Sequence, residues 1–267
     1  MKKVKFLMVV IFLMSLMLPA TSIAQENEKE KFEPVFLTVT TVHRSSNPDV
    51  DFSDWKKTEI EYFEKITMKN ELIIGSGFYV HYFTPDDSEL KIVSVFRTWE
   101  DIELSNEITN KLIMEAWPDE EDRKTFLNKK DSYYSDMHSD EIYVSLPFQI
   151  AMNKESNKPL IFYVKVNQLG NGGDGFKEFF ENVTKKNSYI KAYYTHRHRW
   201  GANSRDAVEV FAVESLGDIE KMFEENTKLI NEYWPDEEKR KEFFDEYAKI
   251  FSGHGDFILT NIPELSK

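Results

Sequence analysis

Residues Tyr193–Gly201 read YYTHRHRWG, a concentration of imidazole, guanidinium and aromatic groups found nowhere else in the chain. In a strand, side chains alternate, so Tyr194, His196, His198 and Trp200 share one face while Arg197 and Arg199 take the other. Imidazole titrates near neutral pH and can donate, accept or carry a proton. An aromatic face with two histidines therefore suits a small-ligand pocket with a few polar groups. It equally suits histidines hydrogen-bonded inside a packed core. Earlier in the chain, GFYVHYF at 77–83 places Gly77, Tyr79, His81 and Phe83 on one face. If that face and the His196/His198 face line one barrel, His81 and His198 approach a shared cavity, joined by Tyr79, Tyr194 and Trp200.

Glu209 alternates away from Val208 and Val210 and is expected to face His198 across the sheet. A His–Glu contact would raise the histidine pKa and serve acid–base work, or it would be an ordinary buried ion pair. Lys165 and Asn167 raise the same question. Arg197 and Arg199 stand in a basic cluster with Lys191 and Arg205. Either they form a wall that recognises a carboxylate through the planar guanidinium fork, or they pair with Glu209 or Asp206. His138 and His254 each precede an aspartate by two residues, in MHSDE and GHGDF. A cap or the anchor of a final strand explains those pairs as well as an acid–base dyad does, and Gly253 and Gly255 suggest a turn with positive φ.

Other chemistries lack their residues. The chain has no cysteine, no His-Glu-x-x-His and no calcium loop, so no metal is expected; His196 and His198 alone make an incomplete site. No cofactor motif appears: the glycines of LGNGGDGF (169–176) lack the dinucleotide spacing and read as a loop into a helix capped by Asp174.

The opening MKKVKFLMVVIFLMSLMLPATSIAQ has a basic start, an apolar run and small residues Ser22 and Ala24 before Gln25. That is a secretory signal peptide over residues 1–24, and the expected location is periplasmic or extracellular, without a membrane anchor. Its removal leaves 243 residues with a net charge near −16. So acidic a chain is a poor partner for nucleic acid or an anionic membrane. Without disulfides the core alone must hold the fold.

The elements that would position these residues come in two sets. EAWPDEEDRKTF (115–126) returns as EYWPDEEKRKEF (232–243), an offset of 117 that also aligns Lys69-Asn70 with Lys186-Asn187 and His81 with His198. The chain reads as a tandem duplication, with repeats over 33–148 and 159–265. Apolar spacing predicts strands at 36–43, 78–83, 90–96 and 142–146, with helices at 53–69 and 100–115. The second set is strands at 160–167, 193–200, 208–213 and 257–261 and helices at 174–186 and 217–233. The WPDEE phrase predicts a helix junction with proline at the first helical position and acids on the positive end of the dipole. The order βαββα(α)β is the ferredoxin-like pattern, an α+β fold. Two such sheets, packed face to face, form an intramolecular α/β barrel.

In its element order, its WPDEEKRKEFF phrase (234–244) and its HGD near the end (254–256), the chain resembles the dimeric α/β-barrel superfamily, which includes antibiotic-biosynthesis-monooxygenase-like proteins. Within it the chain is similar to exported, tandem-duplicated members from Bacteroidota-type bacteria. The resemblance implies a range of activities: cofactor-free monooxygenases, haem-using enzymes, isomerases and binding proteins. Haem use there often needs a helical axial histidine, and none of the six histidines falls inside a helix-patterned segment. The reading is an exported protein that binds a small, partly aromatic or anionic ligand in a barrel cavity, a monomer being one compatible state. The alternative is a cofactor-independent monooxygenase or isomerase-like enzyme.

Overall fold

β-Branched and aromatic runs favour the pleated conformation, and they form eight strands. The computed structural model describes residues 32–152 and 158–267; the proposed signal peptide lies outside them. In chain order the elements are β1 (Phe36–Arg44), α1 (Trp55–Tyr62, followed by a π turn at Phe63–Thr67), β2 (Gly75–Phe83), β3 (Glu89–Phe96), α2 (Trp99–Ala116), α3 (Glu120–Ser132) and β4 (Tyr134–Ser145). Then come β5 (Ile161–Leu169), α4 (Phe176–Asn182), β6 (Ala192–Trp200), β7 (Asp206–Val213), α5 (Leu216–Tyr233), α6 (Glu237–Tyr247) and β8 (Phe251–Asn261).

Residues Pro34–Lys267 are one compact unit. Its strands close into a single barrel in the order β1-β3-β2-β8-β5-β7-β6-β4, and every neighbouring pair is antiparallel. Two ladders join the first four strands to the last four: β2–β8, through Tyr79↔Asn261 and His81↔Leu259, and β4–β6, through Tyr143↔His198 and Ser145↔His196. Closure leaves no unpaired strand edge.

Register fixes which side chains face the axis. Leu160, Phe162, Val164, Ala192, Ala212 and Leu259 cluster inside, with Tyr79, Tyr194, Val208, Val210 and Phe257 against them. The alternate residues Ile161, Tyr193 and Val213 pack outward on Phe180 of α4 and Met222 of α5, and Phe78 packs outward on Phe63. Each such burial is worth about 1.5–3 kcal/mol, so the helices coat the outside and the barrel has a second, inner apolar surface.

The repeated phrase is a structural joint in both places. Asp119 and Asp236 are helix caps whose carboxylates accept from the backbone N–H groups of Glu121 and Asp122, and of Glu238 and Lys239. Arg123 and Arg240 donate back to the carbonyls of Trp117 and Trp234, at 2.9 and 3.0 Å. Each tryptophan stacks on a phenylalanine of the helix that follows, Phe126 or Phe243, at 4.1 Å. The proline therefore precedes the cap instead of opening the helix. Asn70 and Asn187 also match: their amides donate to Ser105 O and Thr109, and to Met222 O and Asn226.

Four local expectations need correction. β4 and β8 begin at Tyr134 and Phe251, far ahead of the expected 142 and 257, because their polar first halves are held by ladders to β1 and β5. Gly253 and Gly255 lie in that extended strand, and neither has positive φ. The helix expected over 53–69 ends in a π turn. Finally, α4 is capped by Gly175 at φ 96°, where a Cβ would sit 2.6 Å from the Phe243 ring; Asp174 only accepts from the Gly175 N–H.

Candidate functional site

The interior face is sealed at one end and accessible towards the other. Phe162, Ala192, Ala212 and Leu259, near the start of β5, are at most 3 % exposed. Met152 packs against this seal and its N–H donates to the Tyr194 hydroxyl at 3.1 Å. Further along the axis, inward-facing Tyr79, Val93, Val166, Tyr194, His196, Val208 and Val210 all keep accessible surface. Burial nevertheless lowers the His196 pKa to about 4 and raises that of Tyr79 to about 12. These inward side chains are thus largely desolvated while keeping some accessible surface.

All six histidines sit on strands. Four have a side-chain partner: His43 with Asp86 (3.1 Å), His81 with Thr84 (2.7 Å), His138 with Asp140 (3.5 Å) and His254 with Asp256 (2.9 Å). His196 and His198 differ. His196 Nδ1 and His198 Nε2 are buried without a partner. His196 stacks on Tyr194 with centroids 6.4 Å apart, and His198 stands edge-on to Tyr143 at 5.8 Å. A buried polar atom left unpaired costs about 1–3 kcal/mol, so two on one lumen face call for an explanation. Lys91 also points into the barrel, yet it is already satisfied. It pairs with Glu89, donates to Thr41 at 3.0 Å and lies over the Phe257 ring at 5.3 Å.

Several expected site residues lie elsewhere. Glu209 does not meet His198. It is on the outward face, where it accepts from the Tyr193 hydroxyl (2.6 Å) and the Asn167 amide (2.8 Å), with Lys165 at 3.8 Å. This is a buried bracing network beneath the helices, and burial together with the Glu209 charge pushes the Tyr193 hydroxyl pKa well up. Arg197 and Arg199 are exposed on the outside and pair with neither Glu209 nor Asp206. Trp200 is 65 % exposed and pairs with Ile142 beyond a register shift, so it leaves the Tyr143–His198 face. His138–Asp140 and His254–Asp256 face outward at strand ends. Tyr79, Tyr194, His196, His198 and His81 share the interior, with His81 tied to Thr84.

Sequence reasoning missed Glu141, Tyr143 and Asp206, which join His198 on the inward face near the open end. The alternation in EIYVS (141–145) was the available signal. No helix among the described residues carries a histidine, so the helical haem ligand that the resemblance implies has no counterpart. No group of three or more His, Asp or Glu among them fits a metal ion. An open groove of 510 Å³ also runs outside the barrel between α5 and β8, lined by Leu216, Phe223 and Ile258.

No protein-family model and no curated protein matches the chain. Solved structures do. A provisionally assigned monooxygenase from Fusobacterium nucleatum subsp. nucleatum matches with TM-score 0.52 and 10 % identity, over 87 % of this chain and 94 % of that one. Chlorite dismutase from Candidatus Nitrospira defluvii, in a mutant form, also matches with TM-score 0.52, at 12 % identity over 86 % of this chain and 93 % of that one. Likeness at such identities bears on fold alone. The chain has a mixed α+β fold around a closed eight-stranded antiparallel barrel, and it shares that fold with these two structures.

Proposed function

We propose that this is an exported protein that binds a small, partly aromatic molecule inside its barrel. The observation that carries the reading is the pair of buried, unpartnered ring nitrogens of His196 and His198 on a lumen face shared with Tyr79 and Tyr194. A planar ligand with one or two hydrogen-bonding groups satisfies those nitrogens while its body stacks on the aromatic wall. The anionic variant loses support, because Lys91 is neutralised by Glu89 and Arg197 and Arg199 lie on the outside. The same reading takes the chain as two ferredoxin-like repeats, 33–148 and 159–265, joined by tandem duplication. The matched asparagine clamps and capped WPD joints support that history.

The test is native mass spectrometry of the mature chain purified from exporting cells. The expected result is a small-molecule adduct released on denaturation and absent from Val210→Trp, which fills the lumen. A folded wild-type chain that carries nothing and takes up nothing from an aromatic library overturns the reading.

A second reading, a cofactor-independent monooxygenase or isomerase-like enzyme, is favoured by Asp206. Burial and the Glu141 charge hold its carboxyl above the usual range, against the pull of His198. An acid so placed can exchange a proton with a lumen-bound substrate. Turnover lost in Asp206→Asn with binding retained would distinguish an enzyme from a binder.

A further inference from the structure

The end of the barrel opposite the Phe162 seal, where β6 ends and β7 begins, gathers two carboxylates that no cation answers. Glu141 accepts from the Tyr143 hydroxyl at 2.9 Å, and Asp206 accepts from the Asn203 amide at 2.5 Å. Among the described residues neither forms an ion pair. His198, 9 % exposed, leaves Nε2 unpartnered beside them. Gly201 shows where Glu141 and His198 converge, and the β6–β7 register, with Arg197 opposite Ala207, puts Asp206 beside His198. A Cβ there would lie 3.0 Å from Glu141 Oε1 and 3.1 Å from His198 Nε2, so the two atoms are within about 6 Å of each other. It would also lie 2.8 Å from Glu141 Cγ, and Gly201 holds φ 136°, which a side chain would strain. The corner is thus kept open by a glycine and lined by acceptors. Burial, and after it the Glu141 charge, hold the Asp206 carboxyl above its usual range against the pull of His198.

The related corner of the first half carries its own answer to the same chemistry. By the offset of 117, Asp206 corresponds to Glu89, Val208 to Lys91, His198 to His81 and Gly201 to Thr84. There the Lys91 ammonium neutralises Glu89 and lies over the Phe257 ring, while Thr84 satisfies His81. In the second half valine replaces the lysine and glycine replaces the threonine. The acid and the histidine remain, Glu141 is added, and the ammonium is missing.

We infer that this corner is an ammonium subsite: Glu141, Asp206 and His198 Nε2 receive the primary amine of a ligand whose aromatic body lies in the lumen. A primary ammonium carries three donors, which matches two carboxylates and one imidazole acceptor. Charge-assisted hydrogen bonds in a partly desolvated corner are the strong kind. The inference rests on the lumen-binding reading for the ligand's aromatic part, whereas the carboxylate corner can be tested apart from it.

The experiment is calorimetric titration of the mature chain with three probes of one shape: 2-phenylethylamine, 2-phenylethanol and phenylacetate. The expected order is amine, alcohol, carboxylate, with the amine bound about tenfold or more tighter than the alcohol. In the Glu141→Gln, Asp206→Asn double variant the amine should fall to the alcohol's affinity while the alcohol is unchanged. Both substitutions keep size and hydrogen bonding, and melting temperature checks the fold. Amine and alcohol binding equally well to the wild type overturns the subsite and leaves the lumen reading standing; so does a preference that survives the double variant. An amine preference that needs the two carboxylates but ignores Val210→Trp keeps the subsite and removes the lumen reading. Binding of none of the probes overturns the subsite.

Discussion

The β2 and β6 strands occupy matching places in the barrel's strand order and treat their polar groups differently. On β2, Gly77, Tyr79 and His81 face inward; on β6 the corresponding residues are Tyr194, His196 and His198. His81 has Thr84, and Tyr79 packs edge-on to Phe162 at 4.9 Å. His196 and His198 have no partner. The next strands repeat the contrast, with a neutralised Glu89–Lys91 on β3 and an unpaired Asp206 on β7. Bracing residues differ much less: Asn70 and Asn187 make the same bonds, and so do Asp119 and Asp236. One half closes its polar groups upon itself, while the other leaves them directed at the lumen. The strand order is the same in both, so the difference lies in side chains and in the turn that follows each strand, where Gly201 takes φ 136° and Thr84 has no positive φ.

The largest way to break this contrast is pH. The His196 pKa is about 4 in the folded protein against an ordinary 6.5, because burial disfavours the charged ring. Between those values the unfolded chain binds a proton that the folded one refuses. Stability therefore falls as pH drops from about 6.5 to 4 and levels off below. The full shift corresponds to about 3 kcal/mol. His196→Gln should remove most of that slope in denaturant titrations across the window, whereas Tyr79→Phe at the matching position should leave it intact. An unchanged slope in His196→Gln would mean the ring is solvated.

Next in size are the clamps, where the halves should agree. Asn70→Ala and Asn187→Ala each strip three hydrogen bonds from a buried amide. Each should cost about 2 kcal/mol in urea unfolding. Costs that differ by more than about 1 kcal/mol would show that the halves are braced differently.

A smaller effect separates the two corners. Gly201→Ala places a methyl group against Glu141 and His198 at φ 136° and should cost about 1–2 kcal/mol. Thr84→Ser, which keeps the hydroxyl that meets His81 and the Asp86 carbonyl, should cost less than about 1 kcal/mol. Equal costs would remove the case that Gly201 is needed to hold the corner open.

Much of this architecture was legible beforehand. Alternating Val, Ile, Phe and Tyr marked the strand cores, and the 3.6-residue period marked α1 and α4. The doubled WPDEE phrase located both joints, since capping needs particular residues at fixed spacing. Tertiary pairing decided the rest. YSDMHSDE (134–141) and FSGHGD (251–256) have neither alternation nor β propensity; they extend because β1 and β5 supply ladders. Glu209 was assigned an inward role because alternation separates two faces without saying which is the axis. The answer came from Tyr193 and Asn167, which hold it beneath the helices. Asp206 and Glu141 were overlooked because each looks like a solvated surface acid until the barrel closes and brings β4, β6 and β7 together.

The central claim, that the lumen binds through the two unpartnered histidines, is tested most directly by ring-nitrogen NMR of all six histidines during titration with 2-phenylethylamine. His43, His81, His138 and His254 already have side-chain partners. The account predicts that ligand moves the His196 and His198 ring nitrogens in step with saturation and leaves the other four in place. Saturable binding that shifts the partnered histidines, or none of the six, would contradict it.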